Sequence, residues 1–351
     1  MGALAWLEER TRYGGAEAYL RHKEVPRHRY AFTYYTGGIT LFFFLIQVLT
    51  GLLLLMYYRP TADAAFESVR LITSKVRFGW LIRAIHIWSA NLMILGVFLH
   101  LAATFFTKAY RRPREVTWLT GVGLLFITLT FGFTGYLLPW NTLAYFATQV
   151  GTEIAGDVPL IGHAVLVLLR GGEDVTEATL SRFFGIHVAI LPALTTVLLG
   201  LHFLLVQIHG MSRPPGVARA GGEPFYPHFM LRDGLVWVLL LGGVAILATL
   251  VPWEVGEKAD PLAPAPAGLK PEWYFLFMYQ ALRMLPPRVL WVEGEMLGVF
   301  AFVVAGAVLI LVPFLDVWAA RDRRHHLFTI AGVLAVLFVM AMTILGLRAT
   351  F

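Results

Sequence analysis

Four histidines lie in stretches that contain no Asp, Glu, Lys or Arg, and their spacing is regular. His86 and His100 are fourteen residues apart, and His187 and His202 are fifteen apart. On a helix these separations are about 21 and 22 Å of rise, and they return to within about 40° and about 60° of the starting face. Each helix then presents two imidazoles at two depths on roughly one side. Two neutral imidazoles opposed at one level are the axial ligands of a six-coordinate haem, a site suited to electron transfer because no coordination position stays open. Four histidines at membrane depth are also compatible with a proton path or a metal site.

The glycines carry a second, independent pattern. Gly37 and Gly51 are fourteen apart, as are Gly121 and Gly135, on the two neighbouring apolar stretches that have no histidine. A flat macrocycle packed edge-on against a helix needs positions without a Cβ. The arrangement predicts a four-helix bundle with a haem at each end, His86 level with His187 and His100 level with His202. Arg83, one turn before His86, is placed to meet a haem propionate or else to snorkel at the interface. The best candidate away from the histidines is Glu272, set in the largely apolar and aromatic run 269–277. Burial there would raise its pKa toward the range of a useful proton acceptor. Trp273, Tyr274 and Tyr279 could line a flat apolar pocket beside it.

The elements that must position these residues are membrane spans. Of 351 residues, 58% are hydrophobic and only 14% charged, little more than half the roughly 25% of a soluble domain. Soluble single-domain, disordered, collagen-like and nucleic-acid-binding classes fail on this composition. Seven stretches are apolar enough to cross a bilayer: 32–58, 84–107, 116–151 (one span with an interfacial stretch), 183–212, 234–253, 296–315 and 327–347. The fold class expected is all-α, a polytopic membrane protein with seven transmembrane helices. With no Cys there is no disulfide, thiolate metal site or covalently attached haem. Charges throughout residues 1–30 argue against a secretory signal peptide.

An odd number of spans puts the termini on opposite sides. Lys and Arg number sixteen on the N-terminal side and twelve on the other, against nine and thirteen acidic residues. Basic residues retained inside place the N-terminus inside and the C-terminus outside. The connections have their own character. Residues 4–20 mix charged and apolar side chains, as a surface helix or an ordinary polar terminus would. The apolar run 158–169 is too short to span and fits a helix at the outer interface. Seven prolines in 252–295, around Pro271, Glu272, Trp273 and Tyr274, predict a fixed loop rather than a tether.

The tetrad Pro271-Glu272-Trp273-Tyr274, the stretch Gly135-Tyr136-Leu137-Leu138-Pro139-Trp140 and the four histidines with their glycines together resemble the cytochrome b family of quinol–cytochrome c or quinol–plastocyanin oxidoreductase complexes. The likeness covers nearly the whole chain. Seven spans and the spacing of fifteen resemble the chloroplast and cyanobacterial branch, where the protein is split into a four-span cytochrome and a three-span subunit IV. Here the two are joined, as residues 1–212 and 213–351, with the join near 213–227. The resemblance implies two non-covalent b haems, the outer on His86 and His187 and the inner on His100 and His202. It implies that Glu272 accepts a proton from quinol at an outer site, with Tyr136, Trp140 and Tyr279 near that pocket. The implied partners are a Rieske iron–sulfur protein, a c-type cytochrome, quinol and quinone, the lipid bilayer of a bacterial cytoplasmic membrane, and a second copy in a homodimeric complex; nucleic acid is not among them.

Two positions depart from that branch. Tyr35 stands where it has the Cys that attaches an extra inner haem, and Gln207 stands where it has an Arg. A covalent third haem is therefore excluded, while a non-covalent one stays open. Two other classes compete. A two-haem membrane anchor for a dehydrogenase or hydrogenase has no need of the Glu272 loop and three further spans. A transporter predicts internal repeats, and the His and Gly patterns have no second copy.

Overall fold

At membrane depth there is no water to satisfy a free amide, so each long apolar stretch has to close its hydrogen bonds within a helix. The computed structural model describes residues 10, 22–217, 221–321 and 326–349. The run 4–20, expected to be a surface helix or an ordinary polar terminus, lies outside the described residues apart from residue 10. A short strand, β1 (Glu24–Pro26), leads through a 3₁₀ turn into α1 (Tyr35–Leu55). Then come α2 (Ala65–Ser74), α3 (Gly79–Phe106), α4 (Glu115–Leu137), α5 (Thr142–Gly156) and α6 (Gly162–Arg170). Helix α7 (Glu177–Gly185) runs through a π-turn, Ile186–Ile190, into α8 (Leu191–His209). Strand β2 (Gly222–Pro224) precedes α9 (Met230–Leu250) and α10 (Trp273–Arg283). The strands β3 (Arg288–Val289) and β4 (Val292–Glu293) lead to α11 (Gly294–Arg321) and α12 (Leu327–Arg348). Seven of these helical segments are long and apolar enough to cross a bilayer.

The expected class holds, with two small additions. β1 pairs antiparallel with β2, and β3 with β4, so the connections carry two-stranded ribbons that a purely helical reading omits. The fourth span starts earlier than residue 183, because Thr176 caps α7: its hydroxyl accepts from the Ala178 amide while Thr179 accepts from the Thr176 amide. The fifth starts earlier than 234, because Arg232 is paired with Glu223 and Asp233 packs on Gly38, so neither charge ends the helix. Most of the short run 158–169 falls in α6, which starts at Gly162 after a turn over 158–161.

Helix α1 packs on α3 and α4 on α8, and α3 against α4 joins these pairs into the four-span bundle. Helix α9 lies against α3 and α1, α11 against α4, and α10 packs on α12 and α11. The end of the bundle at which the chain enters α1 is called proximal here, the other distal. The 252–295 connection is distal and is held at many points. Arg83 Nη1 and Nη2 donate to the carbonyls of Trp253 and Glu254 at 2.7 and 3.1 Å. Trp88 Nε1 donates to the Val251 carbonyl at 2.9 Å and Asn141 Nδ2 to that of Val255 at 2.7 Å. The loop is fixed, as its prolines predict.

At the proximal end the last three spans are tied to the first four through a buried charge. Asp316 of α11 is 0% exposed and accepts from Arg111 Nε at 2.7 Å and from the Tyr110 hydroxyl at 3.1 Å. Trp118 of α4 donates to the Leu309 carbonyl at 2.9 Å beside it. Breaking a buried pair by removing one partner costs roughly 3–5 kcal/mol. Arg111 is 31% exposed and can turn to water, which puts the loss at the low end. Asp316→Ala is therefore expected to destabilise the protein by about 3 kcal/mol, read as a lower thermal midpoint in detergent; an unchanged midpoint would show that this tie carries no stability.

Candidate functional site: paired imidazoles and a half-buried carboxylate

Helix period brings the four histidines together as their spacing predicts, two from α3 and two from the α7–α8 span. His86 and His187 are neighbours toward the distal end, and His100 and His202 toward the proximal end. The fifteen-residue spacing on the second helix is reconciled with fourteen on the first by the π-turn Ile186–Ile190. One extra residue in a π-turn is absorbed without advancing the helix face, so fifteen residues travel about as far round as fourteen.

Each imidazole is gripped by a dipeptide on the adjacent span. The chain contains four Thr-Gly dipeptides, Thr36-Gly37, Thr50-Gly51, Thr120-Gly121 and Thr134-Gly135, and each meets one histidine. Nδ1 of His100, His86, His202 and His187 lies 2.9, 2.8, 2.9 and 3.2 Å from Oγ1 of Thr36, Thr50, Thr120 and Thr134 in turn. Every one of those hydroxyls donates its own proton back along its helix, to the carbonyls of Thr33, Ile46, Thr117 and Thr130. Having donated, each oxygen accepts, so Nδ1 carries the imidazole proton. Nε2 is left as a lone pair, the form in which imidazole binds iron.

The four glycines face the four imidazoles. A Cβ on Gly37, Gly51, Gly121 or Gly135 would lie 3.1, 3.4, 3.3 or 2.6 Å from Cε1 of the facing imidazole. They make room for the ligand ring itself, letting it approach the threonine beside them. At the distal level Gln47 adds a further tie, donating to the His86 carbonyl at 2.7 Å. These four threonines and Gln47 escaped the sequence reading. A signal for the threonines was present in the Thr-Gly repeat, which falls at the glycine period.

Glu272 stands at the N-cap of α10 and makes no capping bond with its side chain. Burial pushes its carboxyl above the usual carboxylate range. Tyr136, from the end of α4, and Tyr274 both lie within electrostatic reach of it. Burial, with Glu272 second, raises the Tyr274 phenol as well, so Tyr274 stays protonated. Its hydroxyl sits where a Cβ on Gly132 would come within 2.7 Å.

The other pocket candidates are placed less centrally. Pro271 precedes the cap and is half-buried. Trp273 turns away onto α3, where its Nε1 donates to Asn91 Oδ1 at 2.7 Å and its ring meets Phe98 edge-on. Trp140 is 3% exposed and packs edge-on against Tyr145 in a buried cluster with Leu137 and Phe183. Tyr279 lies two turns along α10, under the Arg283 guanidinium at 5.9 Å. Arg83 is 7% exposed and gives two of its N–H groups to the distal loop, as described. Among the described residues no three His, Asp or Glu side chains converge as a metal ion site would require; the histidines meet in twos.

A seven-span helical bundle in which imidazoles from two spans meet in two pairs, each with Nδ1 against a threonine hydroxyl, together with a separate half-buried carboxylate, defines a class: a membrane protein able to hold cofactors between pairs of histidines. Comparison with known proteins makes the assignment specific. The family model described as "Cytochrome b/b6/petB" matches residues 20–210, and "Cytochrome b(C-terminal)/b6/petD" matches 258–350. A cytochrome bc complex cytochrome b subunit from Chlorobaculum thiosulfatiphilum is 50% identical over 330 residues, covering 93% of this chain and 76% of that protein. Cytochrome b6 of Heliobacterium mobile is 47% identical over 213 residues, 60% of this chain and the whole of that one. A solved chain described as "Hyperthermophilic respiratory Complex III" superposes with a TM-score of 0.87 at 31% identity, covering 99% of this chain and 92% of that one. The chain belongs to the cytochrome b family, uniting in one polypeptide the b6-like and petD-like parts. It is a multi-pass, b-haem-binding subunit of a bc-type quinol oxidoreductase complex.

Proposed function

We propose that the chain holds two b haems, one between His86 and His187 and one between His100 and His202, and passes electrons from an outer quinol-oxidising site at Glu272 to an inner quinone site. The observation that carries this reading is the fourfold Thr-Gly grip, which sets all four imidazoles in the iron-binding tautomer. When bound, the haems supply one-electron chemistry at two depths. The protein's part is to orient the ligand rings, exclude charge from their surroundings and move protons at its surfaces. Glu272, held neutral more readily than an exposed glutamate, takes a quinol proton as carboxylate and releases it outward. Tyr136 and Tyr274 flank it. Residues 1–212 form the haem-bearing part and 213–351 the part that carries the Glu272 loop.

The distal face is outer in this reading, with the N-terminus in the cytoplasm and the C-terminus outside a bacterial cytoplasmic membrane. A Rieske protein and a c-type cytochrome are the electron acceptors, in a dimeric complex. Arg83 keeps the role of a propionate partner through the N–H groups not given to Trp253 and Glu254. A third haem is disfavoured by what fills the space at Tyr35, whose ring stacks on Phe229 at 4.7 Å, with Phe229 in turn stacked on Phe225 at 5.7 Å. Gln207 is engaged by Lys23 on the same side. A pyridine-haemochrome assay on the purified protein tests the reading: two b haems per chain are expected, whereas one or none contradicts it and three restore the extra inner haem.

A further inference from the structure

The first turn of α10 is pinned from two sides immediately after Glu272. Trp273 Nε1 donates to Asn91 Oδ1 of α3 at 2.7 Å. Tyr274 sets its hydroxyl against Gly132 of α4, where a Cβ would come within 2.7 Å. Consecutive helix residues point about 100° apart, so the two contacts reach different neighbours and together set the rotation of α10 about its axis. Asn91 is prepared for its partner. Its Nδ2 donates to the Ile87 carbonyl one turn back at 3.0 Å, which turns Oδ1 toward the indole as an acceptor. Asn91 lies five residues beyond His86, about 7.5 Å further into the bilayer along α3. An indole N–H left unpaired in hydrocarbon is costly, so the amide is a strong determinant of where Trp273 lies.

The Asn91 bond is the directional one of the two, and Asn91 belongs neither to the tetrad nor to the 135–140 stretch. Phe98, from the same helix, meets the Trp273 ring edge-on at 6.3 Å and steadies it. The Glu272 side chain makes no capping bond, so its own contacts do not fix it; the residues that follow do. We infer that Asn91 is a positioning residue for quinol oxidation. By holding the Trp273 indole on α3, it fixes the N-terminus of α10 and with it the direction in which Glu272 presents its carboxyl. His86 and Asn91 share one helix, so the proton acceptor and the distal imidazole pair keep a constant separation. The inference rests on the reading of Glu272 as proton acceptor and adds to it a residue outside the motifs.

The test is quinol oxidation by the assembled complex, measured against pH and quinol concentration, with haem content and b-haem midpoints determined alongside. Asn91→Leu keeps the size of the side chain and removes the acceptor. Misplacing a reacting group by about 1 Å can cost about 10²-fold. The variant's kcat should therefore fall by about tenfold or more, with the acid limb of the pH profile displaced, while both haems stay bound at unaltered midpoints. Trp273→Phe removes the donor and should reproduce both effects. The double variant should lose no more than the poorer of the two single ones. Asn91→Ser, whose hydroxyl is too short to reach the indole, carries the test by the same criteria if Asn91→Leu does not assemble. Full rate with the acid limb in place would overturn the inference, as would losses that multiply in the double variant or a fall in rate matched by missing haem. Full rate in Glu272→Gln would instead overturn the reading of Glu272, and this one with it.

Discussion

Leucine in place of His202 is expected to leave the protein with a single b haem, the distal one, and to reduce quinol oxidation by the assembled complex to background. His202 enters from α8 and His100 from α3, so the site draws its ligands from two helices that share no backbone. On the two-haem proposal, loss of His202 would leave the proximal iron one imidazole, and a leucine offers no lone pair to replace the other. The distal pair lies at a different depth and is gripped by its own threonines, Thr50 and Thr134, so it should survive. Pyridine haemochrome counts the loss, and the reduced-minus-oxidised spectrum identifies the remaining haem. Gly135→Val should give the complementary phenotype without deleting a ligand. The Cβ alone would stand 2.6 Å from Cε1 of His187, so the ring must leave Thr134 and the distal haem is the one lost. Retention of both haems in both variants would show that the histidines serve some other purpose.

The second large effect is expected at Glu272. Glutamine keeps the size of the side chain and cannot take up a proton at neutral pH. A positioned acid or base contributes about 10²–10⁴-fold, so quinol oxidation should fall by about 10²-fold or more while both haems remain. The pH profile supplies the sign. In the proposed role Glu272 acts as carboxylate, and burial raises its pKa. Activity should therefore fall as pH drops through that raised value, with an acid limb above the range of an exposed glutamate. In Glu272→Gln that limb should disappear along with most of the rate. A variant that keeps the full rate, or the same acid limb, would assign the proton to another group.

What was legible in the chain, and what was not, divides along physical lines. The histidine and glycine periods are local helix geometry, and local geometry survives in sequence. So does the distinction between spans and connections, because the bilayer excludes charge over a fixed length. The π-turn at Ile186–Ile190 was hidden. A fifteen-residue spacing read with an ideal helix leaves a residual angle of about 60°, and nothing in Ile-His-Val-Ala-Ile announces that one residue is absorbed. The threonines were hidden for another reason. A hydroxyl in an apolar helix usually bonds its own backbone, and these four do so while also accepting from a ring on a different span. Contacts between distant parts of the chain were out of reach altogether. Arg83 could be placed at the interface, but not on the carbonyls of Trp253 and Glu254, some 170 residues away. The motif that holds Trp140 gives no sign of its edge-on packing against Tyr145.

The join between the two halves gains a physical meaning from the same contacts. β1, ahead of the first span, pairs with β2 in the connection that leads to the fifth. Asp316, far along α11, is neutralised by Arg111 from the connection between α3 and α4. The petD-like part is thus anchored at the proximal end by charge. At the distal end Arg83, Trp88 and Asn141 fasten the connection that carries Glu272. A proton acceptor on a loop needs such fastening if its distance to the haem-bearing bundle is to stay fixed.

A cryo-electron microscopy map of the assembled complex tests the whole account most directly. It should contain one macrocycle between His86 and His187 and a second between His100 and His202, each iron approached by Nε2, with Nδ1 turned to the neighbouring threonine. Imidazoles that turn away from one another, or pairs with no porphyrin between them, would contradict it.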